Sequence, residues 1–476
     1  MKTTFVSGNF NILHPGHLRL LRFAKELGNR LIVCVISDEI AGNAALVPEN
    51  LRLEALQINN WVDEAFIGKQ PVAEIIKQLK PDVVVKGKEH EGQFNYEAEV
   101  IKSYGGKLIF SSGEVKLSSF DLIMSELRAS ASSFTKLPTD YLKRHNLDAS
   151  LLSQRVLQFN KLRIIVIGDL IVDEYITCDP LGMSQEDPTI VVTPIESKKF
   201  IGGAGIVASH AAGLGAHVSF LSVTGDDENH AFALERLNSF KVNTHLYKDE
   251  SRPTTLKKRY RCKGKTLLRV SKLHNGAIDS NIQQNILCQL DELMRNCDLL
   301  IFSDFNYGCL PTEMIDKIID KAHKFGIFMV ADSQSSSQIG DISRFRGMSL
   351  LTPTEREARL SVRDYEGGLV VLAEKLRDQS NAGNILLKIG EEGVLIHAQT
   401  TTKGNWLTDR IPALNPLPVD VAGAGDSMLV VSAMALACEA SIWEAAALGS
   451  IAAAIQVSRV GNTPLNDIEF IKEFEV

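Results

Sequence analysis

The sequence predicts an α/β protein made of two consecutive domains, each an open, mostly parallel sheet flanked by helices. Three observations carry that reading. The chain has 476 residues, too many for one ordinary hydrophobic core. Short apolar runs alternate with helix-like segments in two separate series, the pattern of βαβ units. Between the series lies a polar, Ser-rich stretch containing ASASSFTKLPTDYLKRHNLDAS. The expected division is therefore a first domain over 1–124, a linker with a short helix or two over 125–160, and a second domain over 161–476.

In the first series residues 2–7 read as a strand and Leu18–Leu27 as a helix. LIVCVIS (31–37) is continuously apolar, as in a strand buried on both faces of a parallel sheet. VAEIIKQL is a helix, and PDVVVKG and KLIFSS are further strands. The second series opens at RIIVIGD (163–169) and recurs at HVSFLSV, CDLLIFSD, GIFMVAD, MSLLTP and NILLKIG.

Composition is that of a globular protein, 45% hydrophobic and 23% charged, with a net charge of −7. Nothing in it suggests a nucleic-acid surface, so an anionic substrate has to be held by local donors. Seven scattered cysteines form no CxxC pair. They read as reduced, buried thiols of a cytoplasmic protein, not as a disulfide frame or zinc site. The start, MKTTFVSGNF, has no apolar signal-peptide region and reads at once as a strand. The apolar tract Met428–Val457 is broken by Glu439 and Glu444. Neither piece reaches about 18 uninterrupted apolar residues, so buried helices are expected and no membrane span.

Chemistry concentrates at two glycine-bearing helix openings. In the first, strand TTFVSG runs through GNFNILHPGH into the helix LRLLRFAKEL. His14 and His17 sit at a helix N-terminus, where free N–H groups and the positive dipole end suit phosphate. Two imidazoles there can donate to phosphate oxygens as charge spreads in a transition state, and Gly16 permits close approach. In the second, DVAGAGDSM (420–428) precedes the helix LVVSAMALA. Gly423, Ala424 and Gly425 can turn successive N–H groups on an oxygen anion. Asp426 behind them can take the proton of a hydroxyl attacking a γ-phosphate.

The first opening resembles the HxGH signature of cytidylyltransferase-like nucleotidyltransferases. Arg52 in ENLRLEAL matches that family's Arg before an apolar helix, and Lys86-Gly87 its KG after a strand. Ser118-Ser119 match its late Ser/Thr pair, although as plain helix caps these two serines serve nearly as well. The resemblance implies nucleotide contacts at Gly8, Phe10, Gly16, Arg52, Lys86, Ser118 and Ser119, with His14 and His17 catalytic. Asn11 stands where the family usually has Asp. The loop EIAGNAALVPEN lacks the family's Lys.

The second opening resembles the DxxGAGD signature of ribokinase-like, or PfkB, sugar kinases. Gly202 and Gly203 match that family's second glycine motif, and Asp169 and Asp173 in IGDLIVDEY its sugar-hydroxyl carboxylates. Asp304 and Asp332 lie at later strand ends, where open sheets bind ligands. Of the family's NxxE metal motif only Glu357 remains, in Thr354-Glu355-Arg356-Glu357. The resemblance implies ATP contacts at Lys388, Gly393, Gly423, Ala424 and Gly425, with Mg²⁺ near Glu357. Read alone, the basic run 256–269 is a solvated face. In the resembling family it is a small β lid, which would place Lys257, Arg259 and Arg269 at a sugar phosphate. Two other motifs carry less. GAGIVA (203–208) fits a dinucleotide fingerprint but follows the charged SKKF, and Gly264-Lys265-Thr266 lacks the first glycine of a P-loop.

The combination is similar to the bifunctional heptose 7-phosphate kinase / heptose 1-phosphate adenylyltransferase family, with the two domains in reversed order. Ile206 replaces an Asn, and Gln334 a Lys, of that family. The resemblance implies an ATP- and Mg²⁺-dependent sugar-phosphate kinase, and a nucleotidyltransferase using ATP or another nucleoside triphosphate. It also implies a homodimer through the kinase domain. The competing expectations are a kinase with a degenerate first domain and a non-catalytic nucleotide or sugar sensor.

Overall fold

In the computed structural model, residues 2–13, 15–87, 97–111, 137–262, 264–335, 340–399 and 407–474 are described. The chain divides into two units, Met1–Ser132 and Ser133–Val476.

The first unit is built on β1 (Thr3–Gly8), β2 (Arg30–Ile36), β3 (Glu64–Gly68), β4 (Val83–Gly87) and β5 (Lys107–Ser111). They form one sheet in the order β3-β2-β1-β4-β5, every neighbouring pair parallel. Alternate side chains of β2 enter two cores: Leu31, Val33 and Val35 on one face, Ile32 and Cys34 on the other. That two-sided burial is why LIVCVIS is continuously apolar. The strand order reverses between β1 and β4, so a crevice is expected at their carboxyl ends. Gly8 and Lys86-Gly87 lie there.

The second unit holds β6 (Arg163–Gly168), β9 (His217–Thr224), β10 (Asn243–Lys248), β13 (Leu299–Asp304), β14 (Phe328–Ser333), β15 (Leu350–Leu351), β16 (Asn384–Lys388), β17 (Val394–Ala398) and β18 (Leu407–Ile411). Their order is β10-β9-β6-β13-β14-β15-β16-β17-β18, parallel through β16 and then antiparallel. Helices cover both faces. Ile164, Val166, Leu299 and Ile301 face one core, and Ile165, Ile167, Leu300 and Phe302 the other. The helices Ala204–Gly213, Ala424–Ala437 and Ile442–Val457 contribute to the first of these cores. Burial all round explains why 428–457 reads as one apolar tract. Among the described residues no helix is long and apolar enough to cross a membrane.

Four further strands form a separate sheet in the order β12-β11-β7-β8: β7 (Leu170–Met183), β8 (Ile190–Gly203), β11 (Thr255–Cys262) and β12 (Lys265–Lys272). This is the expected lid, extended by a long hairpin, β7–β8, that the apolar pattern does not announce.

The stretch expected as a linker differs in its second half. Helices Thr139–Arg144 and Ala149–Leu157 place Tyr141, Leu142, Leu152 and Val156 in the second unit's core. Tyr141 Oη donates to Trp443 O at 2.9 Å. Arg155 Nε donates to Glu444 Oε1, also at 2.9 Å. The apolar positions of LLSQRVL are few and spaced along one helix face, which hides them inside a polar composition.

Candidate functional site

At the first opening a helix begins at Pro15 and runs to Glu26; proline suits this position because its missing N–H has no intrahelical partner. His17 Nδ1 lies 3.0 Å from Ile12 O. A carbonyl only accepts, so Nδ1 carries the proton. The Phe10 ring, buried, packs edge-on against His17 with centroids 5.1 Å apart. Phe10 is thus a support for the histidine and not an exposed contact. Lys86 Nζ pairs with Glu97 Oε2 at 2.8 Å at the end of β4. Gly8, Gly16, His17 and Lys86 stand at the sheet's switch point, while His14, Ser118 and Ser119 lie outside the described residues.

Arg52 is different. Its side chain is fully buried, with Nε donating to Val47 O at 2.7 Å and Nη1 to Asn9 O at 2.6 Å. Nη2 meets Asp38 Oδ1 at 2.5 Å, and this bond holds the Asp38 carboxyl below its ordinary value. Expected to meet nucleotide, Arg52 instead clamps the loops after β1 and β2. Asn11, the departure from the resembling family, holds the same region. Its Nδ2 donates to Ala44 O at 2.9 Å, and its Oδ1 accepts from Leu46 N at 2.8 Å. An aspartate can make only the second bond.

In the second unit Gly423 caps the helix Ala424–Ala437 with φ +79°. A Cβ there would also crowd Asn462 Oδ1 at 2.5 Å, so glycine is required twice over. Asp420 shapes the loop before it, accepting from Ala422 N at 3.2 Å and Gly461 N at 3.1 Å. Buried Gln456 ties Ala422 O to Gly461 O through its amide N–H₂. The nest Gly423–Gly425 is therefore braced from outside the motif, which spacing alone does not reveal. Lys388 approaches it closely: a Cβ on Gly425 would lie 3.1 Å from Nζ.

Asp426 is buried. Burial, then the charges of Asp332 and Asp173, push its carboxyl up to about 7, against the pull of Lys388 and Lys257. Asp173 accepts from Arg259 Nη2 and Asn462 Nδ2, each at 3.3 Å. Burial holds its carboxyl above the ordinary value despite Arg259 and Lys257. A Cβ on Gly202 would run into Asp173 Oδ2, and one on Gly203, at φ +59°, into Asp169 O. On β11, Lys257 lies 5.1 Å from the centres of the Phe305 and Tyr307 rings, where a cation is favoured. Arg259 pairs across the sheet with Arg269, which puts both on one face. Arg261, not singled out from sequence, lies over Tyr175 and pairs with Asp420 at 3.4 Å. The alternation 257, 259, 261 was its available signal.

Four expected site residues are engaged elsewhere. Asp169 accepts from the N–H groups of Phe305, Tyr307 and Cys309 at 2.8, 3.3 and 3.2 Å. Burial and then the Asp304 charge still push its carboxyl up to about 6. Asp304 pairs with Arg344 at 2.6 Å and accepts from Ser333 Oγ at 2.7 Å. These two carboxylates fix the loops at the β6/β13 switch point. Glu357 closes a capping box, its two oxygens accepting from Thr354 N at 2.7 Å and Ser335 N at 3.0 Å. Gly393, at φ +94°, packs so closely on Ile411 that a Cβ would strike its carbonyl oxygen. It turns the hairpin from β16 to β17.

A cleft of about 450 Å³ opens beside Lys388, lined also by Thr354, Glu355, Arg356, Ile389 and Gly390. That is large enough for a small-molecule ligand. An anion nest, a buried carboxylate and a cationic lid around one switch-point sheet define a ribokinase-like sugar-kinase site. The first unit adds a cytidylyltransferase-like domain.

The comparisons agree. Residues 161–468 match the model of the pfkB family carbohydrate kinases, and residues 5–110 the cytidylyltransferase-like model. The chain belongs to the pfkB carbohydrate kinase family. It is 31% identical over 320 residues to the bifunctional protein HldE of a Nitratiruptor species, covering 66% of this chain and 65% of that protein. With HldE of Helicobacter hepaticus it shares 30% over 315 residues, 65% and 63% of the two chains. The match thus spans less than two thirds of these relatives' length. Among solved structures, Escherichia coli phosphofructokinase-2 superposes with a TM-score of 0.54 at 16% identity, over 66% of this chain and 98% of its own. Arabidopsis thaliana ribokinase complexed with ribose and ATP gives 0.51 at 15%, over 66% and 99%. At these identities the structures establish the fold.

Proposed function

We propose that the chain is a bifunctional enzyme, an ATP-dependent sugar-phosphate kinase joined to a sugar 1-phosphate nucleotidyltransferase. The observation that carries the kinase half is the grouping of Asp426, the Gly423–Gly425 nest and the lid cations Lys257 and Arg259. In that half Asp426 takes the proton of the attacking sugar hydroxyl. The oxygen forms its bond to the γ-phosphorus and ADP departs, while the nest N–H groups and Lys388 hold the developing charge. Asp173 accepts a sugar hydroxyl. Arg259 and Arg269 face a phosphate already on the sugar, which selects phosphorylated acceptors. The resemblance to the heptose kinases makes heptose 7-phosphate the first acceptor to try.

The family also implies Mg²⁺ carried with ATP. Each Glu357 oxygen accepts one backbone N–H bond, so only its remaining lone pairs would be left to hold the ion, directly or through water. Among the described residues no three His, Cys, Asp or Glu side chains gather as a metal site.

In the first unit an oxygen of a sugar 1-phosphate attacks the α-phosphorus of a nucleoside triphosphate and pyrophosphate leaves. That oxygen is already a nucleophile, so His17, Lys86 and the helix start serve to orient and neutralise. A second reading, a kinase whose first domain has lost turnover, is favoured by one observation. The loop 42–46 supplies no cation, and Asn11 pins it. Both are tested by mass spectrometry of products formed from ATP and mixed sugar phosphates. A doubly phosphorylated sugar supports the kinase, and a nucleotide sugar with released pyrophosphate supports the transferase. Neither product from any sugar tried would leave only a binding role.

A further inference from the structure

Gln334 follows β14 and reaches the carboxylate proposed as base. Its Nε2 donates to Asp426 Oδ1 at 3.1 Å. A glutamine side chain is ordinarily mobile, but this one rises from a main chain fixed on both sides. Its N–H donates to Asp304 O at 2.8 Å, and its C=O accepts from Asn306 Nδ2 at 3.0 Å. Asp304 is itself fixed by Arg344 and Ser333. Asp304 therefore has an indirect part: its fixed main chain anchors the backbone from which Gln334 reaches Asp426.

We propose that Gln334 is a positioning residue for Asp426, its amide N–H occupying Oδ1 so that Oδ2 receives the proton of the attacking hydroxyl. The inference rests on the reading of Asp426 as the base. A carboxylate has two competing oxygens, and a donor fixed on one directs the incoming proton to the other. Rotation about the terminal bond is restrained at the same time, which keeps Oδ2 in one place for an in-line attack.

The choice of an amide also sets the strength of the base. Asp332 and Lys388 face Asp426 from the main sheet, and Asp173 and Lys257 from the lid sheet. Two anions and two cations nearly balance, so burial dominates and the carboxyl stays high. The neutral amide keeps that balance. A lysine here, as in the resembling heptose family, would add a cation and draw the carboxyl down. Gln334 thus couples a fixed geometry to a stronger base than a lysine would allow.

The test uses the full chain with heptose 7-phosphate and ATP, measuring kcat and both KM values from pH 5 to 9. The set is wild type, Gln334→Leu, Gln334→Lys, Gln334→Glu and Asp426→Asn, each checked for a native circular-dichroism spectrum and cooperative unfolding. Gln334→Leu is expected to lower kcat about tenfold, the worth of one hydrogen bond to a charged group, with the KM for ATP unchanged. Its acid limb moves to higher pH, because a donor favouring the ionised form is gone. Gln334→Glu moves the limb the same way through like-charge repulsion. Gln334→Lys moves it to lower pH and retains more of kcat than Gln334→Leu. A fall in kcat with the limb unmoved in all three variants would reduce Gln334 to a packing role and overturn the inference. Wild-type kcat in Asp426→Asn would instead overturn the reading of the base itself. If heptose 7-phosphate is not an acceptor, the same series is run on ADP release with water as acceptor.

Discussion

Lys388 Nζ lies 3.0 Å from Asp332 Oδ2, in an ion pair whose side chains are 13% and 2% exposed. The two groups end strands β16 and β14, and the ammonium faces the helix opening at Gly425. Burial opposes the lysine's charge, but Asp332, Glu357 and Asp426 more than compensate, so its ammonium is held above its ordinary value. Lys388 therefore stays protonated beside the anion nest at any physiological pH.

Lys388→Met should therefore damage folding and turnover separately. It leaves the Asp332 carboxylate buried without a partner, and removing one member of such a pair costs about 3–5 kcal/mol. The double variant Lys388→Met/Asp332→Asn removes both charges and should recover most of that stability. It should not recover kinase activity, because the nest still lacks its cation. Denaturant unfolding midpoints and ADP release on the two variants check this. Recovery of activity along with stability would show that Lys388 serves only to neutralise Asp332.

Asp426 gives a pH dependence with a definite sign. An unfolded aspartate loses its proton near the ordinary value of 3.8, whereas in the fold the carboxyl keeps it up to about 7. Between those limits the native state binds more protons than the unfolded state, so stability falls as pH rises through the window and levels off above it. As a base the same group works only when ionised, so kinase activity should climb as pH rises through about 7. Asp426→Asn is expected to lower kcat by at least about 100-fold. It should also raise the unfolding midpoint at pH 8 by more than at pH 4. Parallel melts at the two pH values decide it; an equal shift at both would mean that Asp426 carries no burial strain.

Arg52 predicts an effect confined to the first unit. Arg52→Met deprives Val47 O, Asn9 O and Asp38 of their donor, three hydrogen bonds around a fully buried side chain. A loss of about 3 kcal/mol is expected, since bonds from a charged group are worth more than neutral ones. Differential scanning calorimetry should show the transition of the 1–132 unit lowered and that of 133–476 unmoved. Pyrophosphate release should fall with the unit's stability, whereas ADP release from the kinase stays at its wild-type rate.

The sequence made the two sheets legible because parallel strands buried on both faces leave continuous apolar runs, and RIIVIGD and LIVCVIS can hardly be anything else. The glycine–aspartate opening at 423–426 was legible because its first residue caps the helix at a positive φ that favours glycine. What each carboxylate does was not legible. Asp169, Asp304 and Glu357 lie at strand or helix ends like Asp173 and Asp426, yet their oxygens are taken by backbone N–H groups, a serine or Arg344. Spacing along a chain does not say which way a side chain turns. Arg52 misled in the same manner, since a buried clamp and an exposed phosphate ligand have the same letter. The packing of Tyr141 and Leu152 into the second core was hidden by the polar residues around them.

Asn11 separates the two readings of the first unit. Its amide makes both bonds that hold the loop at Ala44 and Leu46, and Asn11→Asp can keep only the one from Leu46 N. Ala44 O is in an exposed position where water can replace the lost donor, so a stability loss of about 1 kcal/mol is expected. The new charge would also stand against a loop that offers a triphosphate no cation. Thus Asn11→Asp, although it restores the residue usual in the resembling family, should raise the KM for the nucleoside triphosphate. Ala44→Lys makes the opposite change. The Ala44 side chain is exposed, so a lysine fits without repacking, and its main-chain bond to Asn11 is untouched. If weak cation density is what limits transfer, Ala44→Lys should increase pyrophosphate release several-fold at low triphosphate, and the gain should shrink as salt is raised. A transferase that is silent in wild type and stays silent with the added lysine would locate the defect elsewhere, and would leave the kinase as the chain's one activity.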